Sequence, residues 1–408
     1  MTALSPLAPA GFPALPALAG VRLGATAAGL KYHGRDDVMM AVLAPGTTLA
    51  GLFTRSSMPS APVQWCRQVM AGSVRALVVN AGNANAFTGA KGLAAARSTA
   101  EAAAGLVGCA PGEVMLASTG VIGEPLPVDG LVGALPALFA RLTADDWEAA
   151  AQAIRTTDTF AKGATRSAQL GGVTVRLNGI AKGSGMIQPD MATMLAFIFT
   201  DAPLSAPVLQ ALLSAAGERS FNAITVDSDT STSDTVLAFA TGGAGGEQIT
   251  AADDGRLDDF RQALGALTID LAQQVVRDGE GASKFITVRV CGAADDASAK
   301  RVALAIANSP LVKTTIAGED ANWGRLVMAV GKSGEPADQD RTAIYIGDEQ
   351  AAAGGRRAPD YSESRAHEHL KGREVRLTAD LGVGAGEATV WTCDLTHDYI
   401  TINADYRS

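Results

Sequence analysis

The run Met194-Leu-Ala-Phe-Ile-Phe199 is apolar without a break and is closed by Thr200-Asp-Ala-Pro203. Such a run with no polar alternation reads as a strand covered on both faces, which demands packed layers on either side of it. The residues before it have the opposite character. Gly179, Gly183 and Gly185 permit backbone angles that other residues avoid, and Pro189 fixes its own φ. Thr193 stands at the junction, at the mouth of the strand, with Lys182 upstream. A hydroxyl held at the end of a rigid central strand, beside a loop able to bend sharply, is well placed to act as a nucleophile.

A bare threonine hydroxyl is a weak nucleophile and needs a base. One solution makes the threonine an N-terminus, so that its own α-amine takes the proton. Here that requires a cut between Ala192 and Thr193. Read without that idea, Thr193 is a β-branched residue opening a strand, where threonine is common.

The rest of the chain carries an α/β texture. Strands are expected at Val74–Asn80, Val114–Ser118, Val173–Leu177 and Phe285–Val290. Helices are expected near 91–107, 129–141, 145–155, 204–217 and 257–276. Between the first strand and helix lies Asn80-Ala-Gly-Asn-Ala-Asn-Ala-Phe-Thr-Gly89, which reads as tight turns. Small residues at Thr119-Gly120 end a strand, where backbone N–H groups and a hydroxyl can face a developing oxyanion. Thr156-Thr-Asp-Thr159 closes a helix in the manner of capping residues. The acidic stretch Phe221–Thr235 has neither the ligand order of a Ca²⁺ loop nor a glycine–lysine phosphate loop. Residues 349–369, with His367 and His369, read as solvated surface.

Composition narrows the function classes. With 47% hydrophobic and 18% charged residues over 408, the chain is globular and exceeds one ordinary core, so two lobes or one large multilayer sandwich are expected. A net charge of −9 argues against nucleic acid or an anionic membrane as partner. No run reaches a membrane span, and residues 1–20 lack the basic stretch and apolar core of a signal peptide. Four scattered cysteines show no metal or disulfide spacing, which suits a reducing cytoplasm.

Lys182-Gly-Ser-Gly-Met-Ile187 followed by Pro189-Asp-Met-Ala-Thr-Met-Leu195 resembles the self-cleavage segment of the ornithine acetyltransferase family, the glutamate/ornithine N-acetyltransferases of arginine biosynthesis. Further pieces recur in family order, among them Thr54-Arg-Ser56, the Asn80–Gly89 loop, Arg277-Asp-Gly-Glu-Gly281 and Ala317-Gly-Glu-Asp-Ala-Asn-Trp-Gly-Arg325. The resemblance implies a layered α/β (α+β) sandwich of two lobes, N-terminal-nucleophile-like. It also implies self-cleavage into an alpha chain, residues 1–192, and a beta chain, residues 193–408. Thr193 is then the nucleophile, and Thr119 and Gly120 form the oxyanion hole. Thr156 (with Thr157 as the alternative), Lys182, Glu280, Asn403 and Ser408 contact the substrate. Many members end in threonine where this chain has Ser408.

The reaction implied moves an acetyl group from N2-acetylornithine to glutamate through an acetyl-threonine ester. No metal or cofactor is implied, and acetyl-CoA as a further substrate stays open. The fragments are expected to associate as a heterotetramer. Two other readings stand beside this one: a self-processed N-terminal-nucleophile aminopeptidase or amidase, with water as acceptor, and a non-catalytic binding protein that keeps its chain intact.

Overall fold

A computed structural model describes residues 3–188 and 194–404, so Ala192, Thr193 and Ser408 lie outside the described residues. Along the chain run β1 (Val21–Thr26), β2 (Val38–Leu43), β3 (Thr48–Phe53), α1 (Ala61–Val69), β4 (Ala76–Asn83) and α2 (Gly89–Val107). Then come β5 (Val114–Val121), α3 (Val128–Ala140), α4 (Trp147–Ala153), β6 (Lys162–Leu170), β7 (Val173–Lys182), β8 (Leu195–Thr200) and α5 (Ala206–Glu218). After β9 (Thr235–Ala240) and α6 (Asp258–Arg277) follow β10 (Phe285–Ala293), α7 (Asp296–Ala307), α8 (Pro310–Ala317) and α9 (Trp323–Gly331). The last elements are β11 (Ala343–Ile346), β12 (Glu349–Ala353), β13 (Arg356–Arg357), α10 (Glu363–Leu370), β14 (Glu374–Asp380), β15 (Gly386–Cys393) and α11 (His397–Ala404).

The chain divides into two compact units, in line with the expected two lobes. The larger comprises residues 9–222 and 229–275; the smaller comprises 1–8, 223–228 and 276–408. The division does not follow position 192/193, because the larger unit takes chain from both sides of it.

The larger unit is an α/β sandwich of two sheets. One sheet has the order β1-β2-β4-β5, and the other β3-β9-β8-β7-β6. Their inner faces share one hydrophobic core, to which Leu77, Val79 and Met115 contribute from the first sheet and Phe197, Phe199 and Phe239 from the second. Every residue of β8 is buried, and the strand is hydrogen-bonded on both sides, antiparallel to β7 and parallel to β9. That is the environment its unbroken apolar run requires. α2 lays small buried residues, Ala95, Ala96, Ala100, Ala103 and Ala104, toward the first sheet and stops at Gly108, whose φ of 73° supplies the left-handed cap.

In the smaller unit, six strands take the order β13-β12-β11-β14-β10-β15, with Ile286, Val288 and Val290 in a core shared with α7 and α9. Residues 349–369 are mostly solvated, as expected, but they also carry ordered elements. They hold β12, β13 and most of α10, and bury Ala351, Ala352, Tyr361 and Ala366. An edge hairpin needs only a few apolar residues on one face, so its composition stays polar. His369 is half-buried there and accepts the Arg376 N–H at 2.9 Å. Among the described residues no helix is long and apolar enough to cross a membrane.

Candidate active site

In the larger unit the chain ends of several strands meet at the start of β8. Lys182, the last residue of β7, pairs in register with Leu195, and Thr235 of β9 pairs with Leu195 from the other side. The Met194 N–H, which precedes β8, donates to Asp234 Oδ1 at 3.0 Å. Lys182 is only 2% exposed, and its ammonium donates to Thr119 Oγ1 at 3.2 Å and Thr156 Oγ1 at 2.9 Å. Two of the residues singled out from sequence, Thr119 and Thr156, are thus within hydrogen-bonding reach of a third, the Lys182 ammonium. A hydroxyl that accepts from an ammonium keeps its own proton for another acceptor, as a donor to an oxyanion must.

The backbone at the end of β5 has an unusual shape. Gly120 has φ 131°, and a Cβ placed there would lie 2.2 Å from the Gly82 carbonyl carbon. Only glycine permits so close an approach of two strand ends. The parallel register of β4 and β5 breaks at this point, between Gly82 and Asn83. Asn80 and Asn83, expected in tight turns, belong to β4, which the sheet extends through Asn83, and with Asn85 of the loop they form a buried network. Asn80 Nδ2 donates to Asn83 O at 2.8 Å, the Asn85 N–H to Asn83 Oδ1 at 2.7 Å, and Asn85 Nδ2 to Gly92 O at 3.0 Å. The far end of the loop, Phe87 to Gly89, borders a cavity of about 410 Å³ together with Ser57, Met58 and Gln64.

Two carboxyls of this region escaped the sequence reading. Asp158 is 4% exposed; its Oδ1 accepts from Lys162 Nζ at 2.7 Å and from the Gly183 N–H at 2.6 Å, while its Oδ2 accepts from the Thr156 N–H at 3.0 Å. Burial opposes its charged form, but the ammoniums of Lys162 and Lys182 and the Gly183 N–H outweigh that and hold it well below the usual carboxylate range. It therefore ties Thr156 to the loop after Lys182. Thr157 takes another partner, Ser184, with the two hydroxyl oxygens 2.7 Å apart. Asp234 is wholly buried, and its Oδ2 has no hydrogen-bond partner among the described residues. Burial pushes its carboxyl well above the ordinary range, against the pull of the Met194 N–H. The one sequence signal for either was an acid amid hydroxyls, which reads equally well as turn chemistry.

The irregular stretch from Ser231 into β9 is tied to residues 54–60. Thr54 Oγ1 donates to Ser231 O at 2.6 Å and the Ser60 N–H to Thr232 O at 2.8 Å. Among the described residues no three His, Cys, Asp or Glu side chains converge as a metal cage.

Glu280 and Asn403 belong to the smaller unit, where the structure brings them together: Asn403 Nδ2 donates to Glu280 Oε2 at 2.7 Å. Glu280 is 9% exposed and sits in the turn between α6 and β10. In the 317–325 stretch, Glu319 pairs with Lys284 at 3.0 Å, which anchors that stretch to the residues after the turn.

Known proteins align with the chain end to end. The ArgJ family model matches residues 22–408. The arginine biosynthesis bifunctional protein ArgJ of Rhizobium meliloti is 59% identical over 409 residues, covering 99% of each chain. That of Agrobacterium fabrum is 57% identical over 410 residues, covering 100% of this chain and 99% of its own. A crystal structure of the Bacillus halodurans protein of the same name is 43% identical, covers 50% of this chain and 95% of its own, and has a TM-score of 0.48. With the family model spanning nearly all of its length and relatives above half identity along the whole of it, the chain belongs to the ArgJ family.

Proposed function

We propose that this enzyme of arginine biosynthesis cuts itself between Ala192 and Thr193 and then moves an acetyl group from N2-acetylornithine to glutamate on the freed threonine. The observation that carries the reading is the convergence of Lys182, Thr119, Thr156 and Asp234 on the first residues of β8. The names of the relatives favour it over the aminopeptidase and the binding protein.

In self-cleavage the Thr193 hydroxyl attacks the carbonyl of Ala192 and the peptide C–N bond breaks, which frees the α-amine and leaves an ester; water then hydrolyses this ester, releasing the Ala192 carboxylate and restoring the Thr193 hydroxyl. In turnover that amine takes the hydroxyl proton while Oγ attacks the acetamide carbonyl. Thr119 and the Gly120 backbone face the oxyanion. The amine returns the proton to the leaving nitrogen of ornithine, and an acetyl ester remains. The α-amine of glutamate attacks this ester, and Thr193 is regenerated.

Lys182 draws the substrate α-carboxylate, and Glu280 the ammonium, by charge complementarity. Thr156, Asn403 and Ser408 complete the contacts. A second activity, as the relatives' names imply, fits acetyl-CoA as another donor to the same ester. The fragments 1–192 and 193–408 stay associated, two copies of each, in the cytoplasm.

The test is direct. Wild-type protein should give two fragments by intact mass, and Thr193→Ala one full-length, inactive chain. N-acetylornithine alone should add one acetyl mass to the 193–408 fragment and release ornithine. Velocities against N-acetylornithine at several glutamate levels should give parallel double-reciprocal lines. Thr119→Ala should lower kcat by about 10²-fold with a smaller change in KM. An active wild-type chain that stays intact would sink the proposal, as would intersecting lines with no acetylated fragment.

A further inference from the structure

Glu280 lies between Gly279 and Gly281, so its own neighbours give it little backbone stiffness. The Gly279 N–H to Val276 O and Ala282 N–H to Gly279 O bonds close the turn locally, and further contacts come from the far end of the chain. Asp394 is 2% exposed, and its Oδ1 accepts the N–H groups of Ser283 at 2.8 Å and Lys284 at 2.9 Å. Its Oδ2 accepts the Ser283 hydroxyl. Thr396 Oγ1 donates to Gly281 O at 2.7 Å, and Asn403 reaches the Glu280 carboxylate itself.

The two glycines show how closely this segment is laid on the turn. A Cβ at Gly281, where φ is 73°, would lie 2.5 Å from the Tyr399 nitrogen. One at Gly279 would lie 2.7 Å from Cys393 Sγ. Yet α11 buries no residue of its own among those described. Apolar packing of that helix therefore cannot hold the turn in place, and the polar contacts of Asp394 and Thr396 do.

We infer that Asp394 and Thr396 are positioning residues that set the Glu280 carboxylate for a cationic group of the substrate. The inference rests on the proposal that Glu280 receives that group. A carboxylate kept nearly dry binds a cation strongly only if it need not move to meet it, so a loosened turn loses affinity and little else. Self-cleavage involves no cationic ligand and is independent of these contacts.

The experiment uses the full chain in three variants: Thr396→Val, which at constant shape removes the bond to Gly281 O and the one Thr396 Oγ1 accepts from the Asp398 N–H, Asp394→Asn, and Glu280→Gln. Thr396→Val and Asp394→Asn should raise the KM for N-acetylornithine about tenfold, with kcat within about threefold and cleavage at the wild-type rate. Thr396→Ser should restore the wild-type KM. Should Asp394→Asn fail to fold, Thr396→Val and its serine rescue decide alone. If Glu280→Gln raises KM while Thr396→Val leaves it unchanged, the positioning role is refuted and the role of Glu280 stands. If Glu280→Gln itself leaves KM unchanged, the reading of Glu280 fails and the inference with it. Equal losses of kcat and cleavage in Thr396→Val would mark a merely structural contact.

Discussion

Asp158 and Asp234 are both buried carboxyls within the larger unit, yet their surroundings drive them in opposite directions. Asp158 has two ammoniums and two N–H groups near it and stays charged. Asp234 Oδ1 takes the Met194 N–H and its Oδ2 has no partner among the described residues; burial outweighs the pull of its hydrogen-bonding neighbours and of Lys182 and keeps its proton on. The raised carboxyl has a definite sign in stability. Below about pH 4 folded and unfolded states both hold the proton, and Asp234 contributes no slope. As pH rises from there to the folded pKa, the unfolded state loses its proton first, so stability falls. Asp234→Asn keeps an oxygen for the Met194 N–H and cannot ionise. Its stability relative to the parent should therefore grow from about pH 4 toward neutrality, by denaturant midpoints on an uncut Thr193→Ala background. A difference that stays flat with pH would show that Asp234 titrates as an ordinary carboxyl. Neither acid was readable beforehand, because the partner that ties each to the site stands far off in sequence: Gly183 for Asp158, and Met194 for Asp234.

At the scale of elements, what could be read followed burial. β8 was legible because it is covered on both faces, and its observed bounds differ from the apolar run by a single residue. β6 was not, although it is a nine-residue strand. It lies at the sheet edge, and its Thr165, Arg166 and Ser167 need no apolar cover there. The centre of the sheet bears the load that the edge does not. Phe199 of β8 is stacked on Phe239, with ring centroids 5.0 Å apart, and meets Trp147 of α4 edge-on at 5.3 Å. Phe199→Ala should cost about 3–5 kcal/mol, since the hole cannot collapse between two sheets and a helix. Urea titration of the uncut chain measures it, and a loss below about 1 kcal/mol would mean that the core repacks freely.

For the molecule as a whole, resemblance reached further than pattern. Pattern gave the α/β texture and length allowed two lobes, and resemblance added the layered sandwich, but the spatial division at 8/9, 222/223, 228/229 and 275/276 had no signal in composition. The larger unit draws β1 to β7 from one side of the proposed cut and β8 and β9 from the other. Uncut Thr193→Ala protein should therefore refold from denaturant at a rate independent of concentration. The mature protein should refold at a rate that rises with concentration and with low yield when dilute, because its two pieces must first meet. Equal, concentration-independent refolding of both would show that the pieces are not interleaved in this way.

The central place of β8 thus bears on more than chemistry. While the chain is whole, the strand is brought to its neighbours by a tether, and finding them is a local search. Once the bond before Thr193 is cut, the same pairing becomes an encounter between strangers. The hydrogen bonds of β7 to β8 and of β3 to β9 then keep the halves together but could not readily reunite them. Maturation would work as a ratchet: the protein folds as one molecule, becomes active as two, and lasts for as long as its unfolding barrier holds.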